Sequence, residues 1–300
     1  MLRIIQNRYI YFIISGILII TAVVFLSLWG LKLGIDFTGG TLVELNFVER
    51  PDSHEVQSLL TEADLGLEEV QIQPAGTNEL IIRTKVLNET EHQQLLVVLR
   101  EAYDGETIVE NRFESIGPVI GEELKNKAVT AIIIVLITII LYVAYTFRKV
   151  SKPVASWKYG IAAIIALIHD VLMVVGVFSV LGHFYNVEVG ILFVTALLTV
   201  LGYSVNDTIV VFDRVRENLI YRPKETFVET INHSVNETIL RSINTSVTTL
   251  LVLLAVYLFG GVTIKDFILA LMIGALAGTY SSIFIASPLL VEWHRFKRKK

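Results

Sequence analysis

Residues 189–212 read VGILFVTALLTVLGYSVNDTIVVF, a run of 24 residues whose one Asp, Glu, Lys, Arg or His is Asp207. At about 1.5 Å per residue a helix of that length reaches roughly 36 Å, enough to cross the ~30 Å hydrocarbon layer of a bilayer. Tyr203 and Ser204 precede Asp207 by four and three residues and so share its helix face. A carboxylate deep in a membrane costs about 2.5–3.5 kcal/mol or more, so such a residue faces a bundle interior and marks an ion or proton path. Asp207 lies about five residues, or roughly 8 Å, inside the end of the run at Phe212.

Five more apolar runs surround this one, at residues 9–31, 128–147, 159–182, 242–261 and 267–291, which makes the chain a polytopic α-helical membrane protein with six transmembrane helices. Composition agrees: 53% hydrophobic and 18% charged residues, with a mean hydropathy of +0.63, exclude a soluble globular protein and a disordered one. The absence of cysteine removes disulfide frameworks, thiolate metal sites and cysteine nucleophiles together. Arg3 and Arg8 precede the first run as in a signal peptide. The run is longer than a signal's apolar segment, and Trp29-Gly30-Leu31-Lys32 is not a small-residue cleavage site, so it reads as a retained anchor.

Six spans put both termini on one side. Segments 1–8, 148–158, 213–241 and 292–300 hold 16 of the 25 Lys and Arg, including Arg148-Lys149-Val150-Ser151-Lys152 and the basic tail Lys297-Arg298-Lys299-Lys300, which places them in the cytosol. Residues 32–127 then form an external, periplasmic domain with eight Lys and Arg against 19 Asp and Glu. Within 213–241, Phe227, Ile231, Val235 and Ile239 recur every four residues, as in an amphipathic helix lying on the inner membrane surface.

The external segment reads as a strand at 41–47, a helix from Asp52 with Glu55 three residues on, strands near 69–73 and 79–85 around a Pro74–Asn78 turn, a helix from Asn88 with Glu91 three on, and a strand at 107–114. That β-α-β-β-α-β order is an α+β, ferredoxin-like domain. Its connections carry Gly34, Gly39 and Gly40 on one side and Gly117, Pro118 and Gly121 on the other, which serve turn chemistry or act as a pair of hinges.

Inside the spans the remaining ionisable groups are His169 and Asp170, either a second relay site or a static hydrogen-bonded pair. One histidine beside a carboxylate is a poor metal-ligand set, and no metal is expected. Arg241, at the start of the fifth span, is the expected partner of Asp207. Arg241, Thr245, Thr248 and Thr249 fall on one stripe of that helix, either a polar lane or hydroxyls bonded back to their own helix. Ala270, Gly274, Gly278 and Ser282 form the small-residue stripe of a close helix contact.

Several motifs occur in order along nearly the whole chain: Gly34-Ile35-Asp36-Phe37-Thr38-Gly39-Gly40, Gly117-Pro118 with Gly121-Glu122-Glu123-Leu124, His169-Asp170, Gly202-Tyr203-Ser204-Val205-Asn206-Asp207-Thr208, Asp213-Arg214-Val215-Arg216-Glu217-Asn218 and Arg241-Ser242-Ile243-Asn244-Thr245-Ser246. Together they resemble the SecF family of the bacterial SecD/SecF protein-export complex, and the arrangement is similar to half of a resistance-nodulation-division-type transporter. The resemblance implies an inner-membrane subunit that associates with SecD, the SecYEG channel, YajC and the YidC insertase. It implies use of the proton-motive force in late, ATP-independent steps of preprotein export, with the translocating preprotein and membrane lipid as contacts and with no nucleic acid and no cofactor beyond the proton gradient. It assigns proton conduction to Asp207 and Arg241; Asn206, Asp213, Thr245, His169 and Asp170 are candidates for supporting positions beside them. The competing reading is a proton-coupled small-molecule exporter half. An enzyme is not expected, because Gly-x-Gly-Asp, His-Glu-x-x-His and Gly-x-Ser-x-Gly are all missing.

Overall fold

The computed structural model describes residues 2–63, 65–67, 70–103, 108–148 and 155–298. Lys149 to Lys152 and Lys299-Lys300, which weigh in the sidedness argument, lie outside the described residues, as do the expected strand starts at Glu69 and Thr107. The chain divides into a unit Leu33–Val129, called the outer unit for the side expected from the sequence, and a membrane unit, Met1–Lys32 with Thr130–Lys300. In chain order the elements are α1 (Arg8–Trp29), α2 (Ile35–Thr38), β1 (Gly40–Asn46), α3 (Ser53–Glu62), β2 (Gln71–Ala75), β3 (Glu79–Thr84), α4 (Glu89–Ala102), β4 (Val109–Ile116), α5 (Pro118–Thr146), α6 (Ser156–Tyr185), α7 (Ile191–Tyr221), α8 (Phe227–Phe259), α9 (Val262–Ser281), a π-helical turn Ser282–Ala286, and α10 (Ser287–Arg298).

Among the described residues six helices are long and apolar enough to cross a membrane: α1, α5, α6, α7, α8 and the rod of α9 through α10. Hydrocarbon offers the backbone no hydrogen-bond partner, so an uninterrupted apolar stretch must close its bonds within itself as a helix. α6, α7 and the α9 rod are about half buried and make the interior, while α1, α5 and α8 lie mostly exposed around them. Small residues set the closest crossings. A Cβ on Gly274 would stand 2.1 Å from Val200 Cγ2, and one on Gly278 2.8 Å from Ser204 Cβ, so α9 can lie against α7 only with glycine there. At one end of the bundle Phe147, Tyr159 and Phe212 form a ring cluster with centroids 5.3–5.9 Å apart.

One expectation, for the segment that precedes the fifth span, is corrected. The segment before the fifth span is not a separate helix on the membrane surface: α8 is one helix, opened by a capping box in which Thr226 and Glu229 satisfy each other's backbone N–H. Its four-residue apolar stripe faces protein, since Phe227, Ile231 and Val235 are buried in one cluster with Ile4, Ile5, Val215, Leu290 and Val291. A stripe of that period fits any apolar partner, and here the N-terminal segment supplies it: Asn232 and Asn236 clasp the backbone of Leu2 and Ile5. The α9 rod is interrupted. Pro288 has no N–H and its ring crowds the carbonyl four residues back, at Phe284, so the helix widens into the π turn there.

The outer unit is a four-stranded antiparallel sheet in the order β2-β3-β1-β4, with β1 paired to β3 from Thr41↔Thr84 to Asn46↔Glu79. Val43, Leu45, Leu80 and Ile82 on one face pack against Val56 and Leu60 of α3 and Leu95, Leu96 and Leu99 of α4. β2 continues through Pro74 and Ala75, which the sequence assigned to a turn; proline is tolerated because β2 is an edge strand. Asn88 and Glu91 form a complete capping box, whereas Asp52 caps only the His54 N–H, without a return bond from Glu55.

The glycines at the base of this unit are fixed by packing. Gly39 has φ +73° and Gly40 φ +129°, the region that favours glycine. A Cβ on Gly39 would stand 2.8 Å from Pro118 Cα, and one on Gly121 3.0 Å from the Gly39 nitrogen. The two connections are thus pressed backbone to backbone. Gly117 has open space around it, and Gly34 is in ordinary extended backbone.

Candidate functional site

α7 brings Asp207 into the interior of the bundle, where it is 8% exposed. Its Oδ1 accepts from Ser242 Oγ of α8 at 2.6 Å and its Oδ2 from Ser282 Oγ of the π turn. One turn earlier on α7, Ser204 Oγ donates to Asp170 Oδ2 at 2.5 Å, and Ser281 Oγ of α9 donates to the same oxygen at 2.8 Å. His169 Nδ1 stands 3.0 Å from Asp170 Oδ1. Tyr203 O–H meets Ser246 Oγ at 3.0 Å, and Ser246 in turn meets Thr279 Oγ1. α6, α7, α8 and α9 therefore enclose a column of two carboxylates, a histidine and several hydroxyls inside an apolar bundle. Sequence reasoning did not identify Ser242, Ser281 or Ser282 as part of the site. Pro288 was the available signal: a proline within an apolar span disturbs the helix just before it, where these two serines of the last helix stand.

Arg241 is not the partner of Asp207 in this structure. It is exposed, and both carboxylate oxygens are engaged by serines. The reason is helix geometry. Ser242 and Ser246 face inward, and a step of one residue turns about 100°, so Arg241, Thr245 and Thr248 are carried to the outer face of α8. Thr245 and Thr248 bond back to the carbonyls of Arg241 and Asn244 at 3.0 and 2.9 Å, which is the local alternative for that stripe. Asn206 of α7 is exposed, as is Asp213, which pairs with Arg216 at 3.7 Å. The site residues expected from sequence thus separate into an inner set, Asp207, His169 and Asp170, and an outward set, Arg241, Thr245, Asn206 and Asp213. Among the described residues no three His, Cys, Asp or Glu side chains cluster as a metal site does.

A hydroxyl can donate to a carboxylate or accept from a carboxylic acid. Asp207 can therefore gain or lose a proton while Ser242 and Ser282 remain its partners, needing only a rotation of their O–H bonds. A guanidinium, which only donates, does not permit this.

Residues 97–296 match the family described as protein export membrane protein SecD/SecF, C-terminal, and residues 30–48, which include Gly39-Gly40, match the SecD/SecF GG motif. The chain belongs to the SecD/SecF family. This is a family of membrane subunits of the protein translocase. Protein translocase subunit SecF of Thermobaculum terrenum is 45% identical over 306 residues, covering 98% of this chain and 94% of that protein. The subunit of the same name from Anaerolinea thermophila is 41% identical over 98% of this chain and 94% of its own length. Among solved SecD/SecF structures, SecDF of Thermus thermophilus, a translocon-associated membrane protein, superposes with a TM-score of 0.85 at 34% identity over 98% of this chain. This chain spans 39% of that SecDF molecule. The fold shared with the SecD/SecF family is a multi-pass helical membrane unit carrying one small α+β domain.

Proposed function

We propose that this chain is one half of a proton-driven export unit, which uses the proton-motive force to promote late, ATP-independent steps of preprotein movement across the bacterial inner membrane. The observation that carries the reading is Asp207, buried within an apolar bundle and held by hydroxyls alone. A cationic partner would hold it in one charge state, whereas hydroxyls accommodate two. Both termini lie in the cytosol and the outer unit lies outside. A proton crossing the field yields about 2.3 kcal/mol per 100 mV, enough to shift a conformational equilibrium more than tenfold and too little to unfold a domain. The outer unit is then moved as a folded body, with the flexibility at Gly117, which close packing leaves free.

The outward set of polar residues supports the partnership. Arg241, Asn206 and Thr245 at the surface of membrane helices are costly against lipid and favourable against protein. A SecD-type subunit covering that face brings Arg241 into an enclosed interface, and the pair works with the SecYEG channel, YajC and YidC. The chain acts as a transport subunit and not as an enzyme, and it requires no cofactor besides the gradient. Asp207→Asn keeps the volume and removes the titration. In proteoliposomes containing the assembled complex, it is expected to insert and assemble normally and to lower proton-dependent export at least about a hundredfold. Wild-type export by that complex would reject the reading.

A further inference from the structure

The bundle buries a second acid besides Asp207. Asp170 is 0% exposed and His169 2%. Asp170 is bonded by Ser204, Ser281 and the His169 ring, with no lysine or arginine partner among the described residues. Two hydroxyl donors on Oδ2 and a ring nitrogen on Oδ1 match an ionised carboxylate, which only accepts, and this pattern assigns the imidazole proton to Nδ1. His169 Nε2 is then a bare lone pair, buried and without a hydrogen-bond partner. The groups facing the dyad are Ser204 from α7 and, from α9, Ser281 and the Tyr280 ring, whose hydroxyl meets Ser15 of α1 at 3.1 Å. A buried unpaired acceptor beside a carboxylate calls for a functional explanation.

The dyad is also connected to Asp207. Ser281 and Ser282 are neighbours at the entrance of the π turn, and they donate to different acids, Ser281 to Asp170 on α6 and Ser282 to Asp207 on α7. Ser204 makes a second link, since it lies one turn from Asp207 on α7 and bonds to Asp170.

We propose that the His169–Asp170 dyad is a second protonation site of the transport cycle, coupled to Asp207 through the adjacent hydroxyls of Ser281 and Ser282. The proposal rests on the proton-coupled reading of Asp207. A proton from water binds the Nε2 lone pair, forming one N–H bond, and the dyad passes from carboxylate with neutral imidazole to carboxylate with imidazolium. Its buried charge goes from −1 to zero. On release that N–H bond breaks and the proton returns to water; nothing is oxidised or reduced. Protonated Asp207 donates its own O–H, so Ser282 turns from donor to acceptor. The π turn adjusts, and Ser281 is drawn with it relative to Asp170. Each acid thereby senses the charge of the other without a shared cation.

The test uses the full chain assembled with its partner subunit in proteoliposomes, with proton-driven export measured against pH. His169→Gln keeps a polar side chain and removes the titration, and is expected to lower the rate about tenfold or more and to delete one ionisation from the pH profile. Ser281→Ala is expected to shift the pH midpoint of the Asp207 carboxyl band in infrared spectra, and Ser281→Thr to restore it. A wild-type pH profile in the His169→Gln complex, with Asp207→Asn inactive in the same assay, overturns the dyad's role and leaves the Asp207 reading intact. An active Asp207→Asn complex overturns both. A measurement on the unmutated protein guards against folding defects: among its six histidines, the 15N signal that His169→Gln removes must report Nε2 gaining a proton across the pH range in which export changes. A signal constant across that range also overturns the proposal.

Discussion

Ionisable groups are handled in opposite ways in the two units. In the outer unit carboxylates meet permanent cations, Glu114 with Arg112 at 2.6 Å and Glu91 with Lys85 at 3.6 Å. The peripheral end of the membrane unit does the same, pairing Arg214 with Glu237 at 2.6 Å and Arg8 with Glu292 at 2.5 Å. Within the bundle, Asp170 and Asp207 receive serine hydroxyls and an imidazole, with no lysine or arginine. Carboxylates matched to nearby basic groups hold one arrangement; a carboxylate among hydroxyls can exist in two. The outer unit is therefore built to keep its shape and the bundle interior to change its charge, so substitutions in the first are expected to alter stability and those in the second to alter pH dependence.

The largest effect falls where both roles depend on close helix packing. Gly274→Leu must push α9 off Val200 of α7, and we expect no folded membrane unit to survive, seen as loss of a monodisperse peak in detergent chromatography. A stable, active Gly274→Leu chain would mean that the polar column does not need this crossing. Next is Leu99→Ala in the outer core, expected to cost about 2–5 kcal/mol. Hydrogen exchange of the full chain should show it in β1, β3 and α4, with the pH profile of export unchanged in shape. A changed profile would break the division between the units.

Arg241→Met tests the outward set. Because Ser242, and not Arg241, touches Asp207, infrared titration of the Asp207 carboxyl should be unaltered in the isolated chain. In the assembled complex the same substitution is expected to lower export about tenfold, equivalent to about 1.4 kcal/mol. A shift already present in the isolated chain would restore the direct pair. The smallest effect is Asn88→Ala, which removes one side of the α4 capping box and should cost about 1 kcal/mol by the same exchange measurement, without touching transport.

Sequence by itself determined what depends on neighbours along the chain. An apolar run of bilayer length must be a helix wherever it lies, alternating and four-residue patterns set the β-α-β-β-α-β order, and the isolation of Asp207 in its run was legible without any fold. The same local rules put Arg241 and Ser242 side by side but could not tell which faced inward, because helical periodicity fixes the angle between two residues and not the direction in which the helix is turned. Only the packing of α8 against α7 and α9 decided that, giving Asp207 to Ser242 and leaving Arg241 on the outside. Tertiary contact likewise joined the stripe of Phe227, Ile231 and Val235 to the N-terminal segment, more than 200 residues away in sequence, and brought Ser281 and Ser282 to two different acids. Each of these is a contact between distant parts of the chain, and a pattern read within one helix carries no information about which distant surface will meet it.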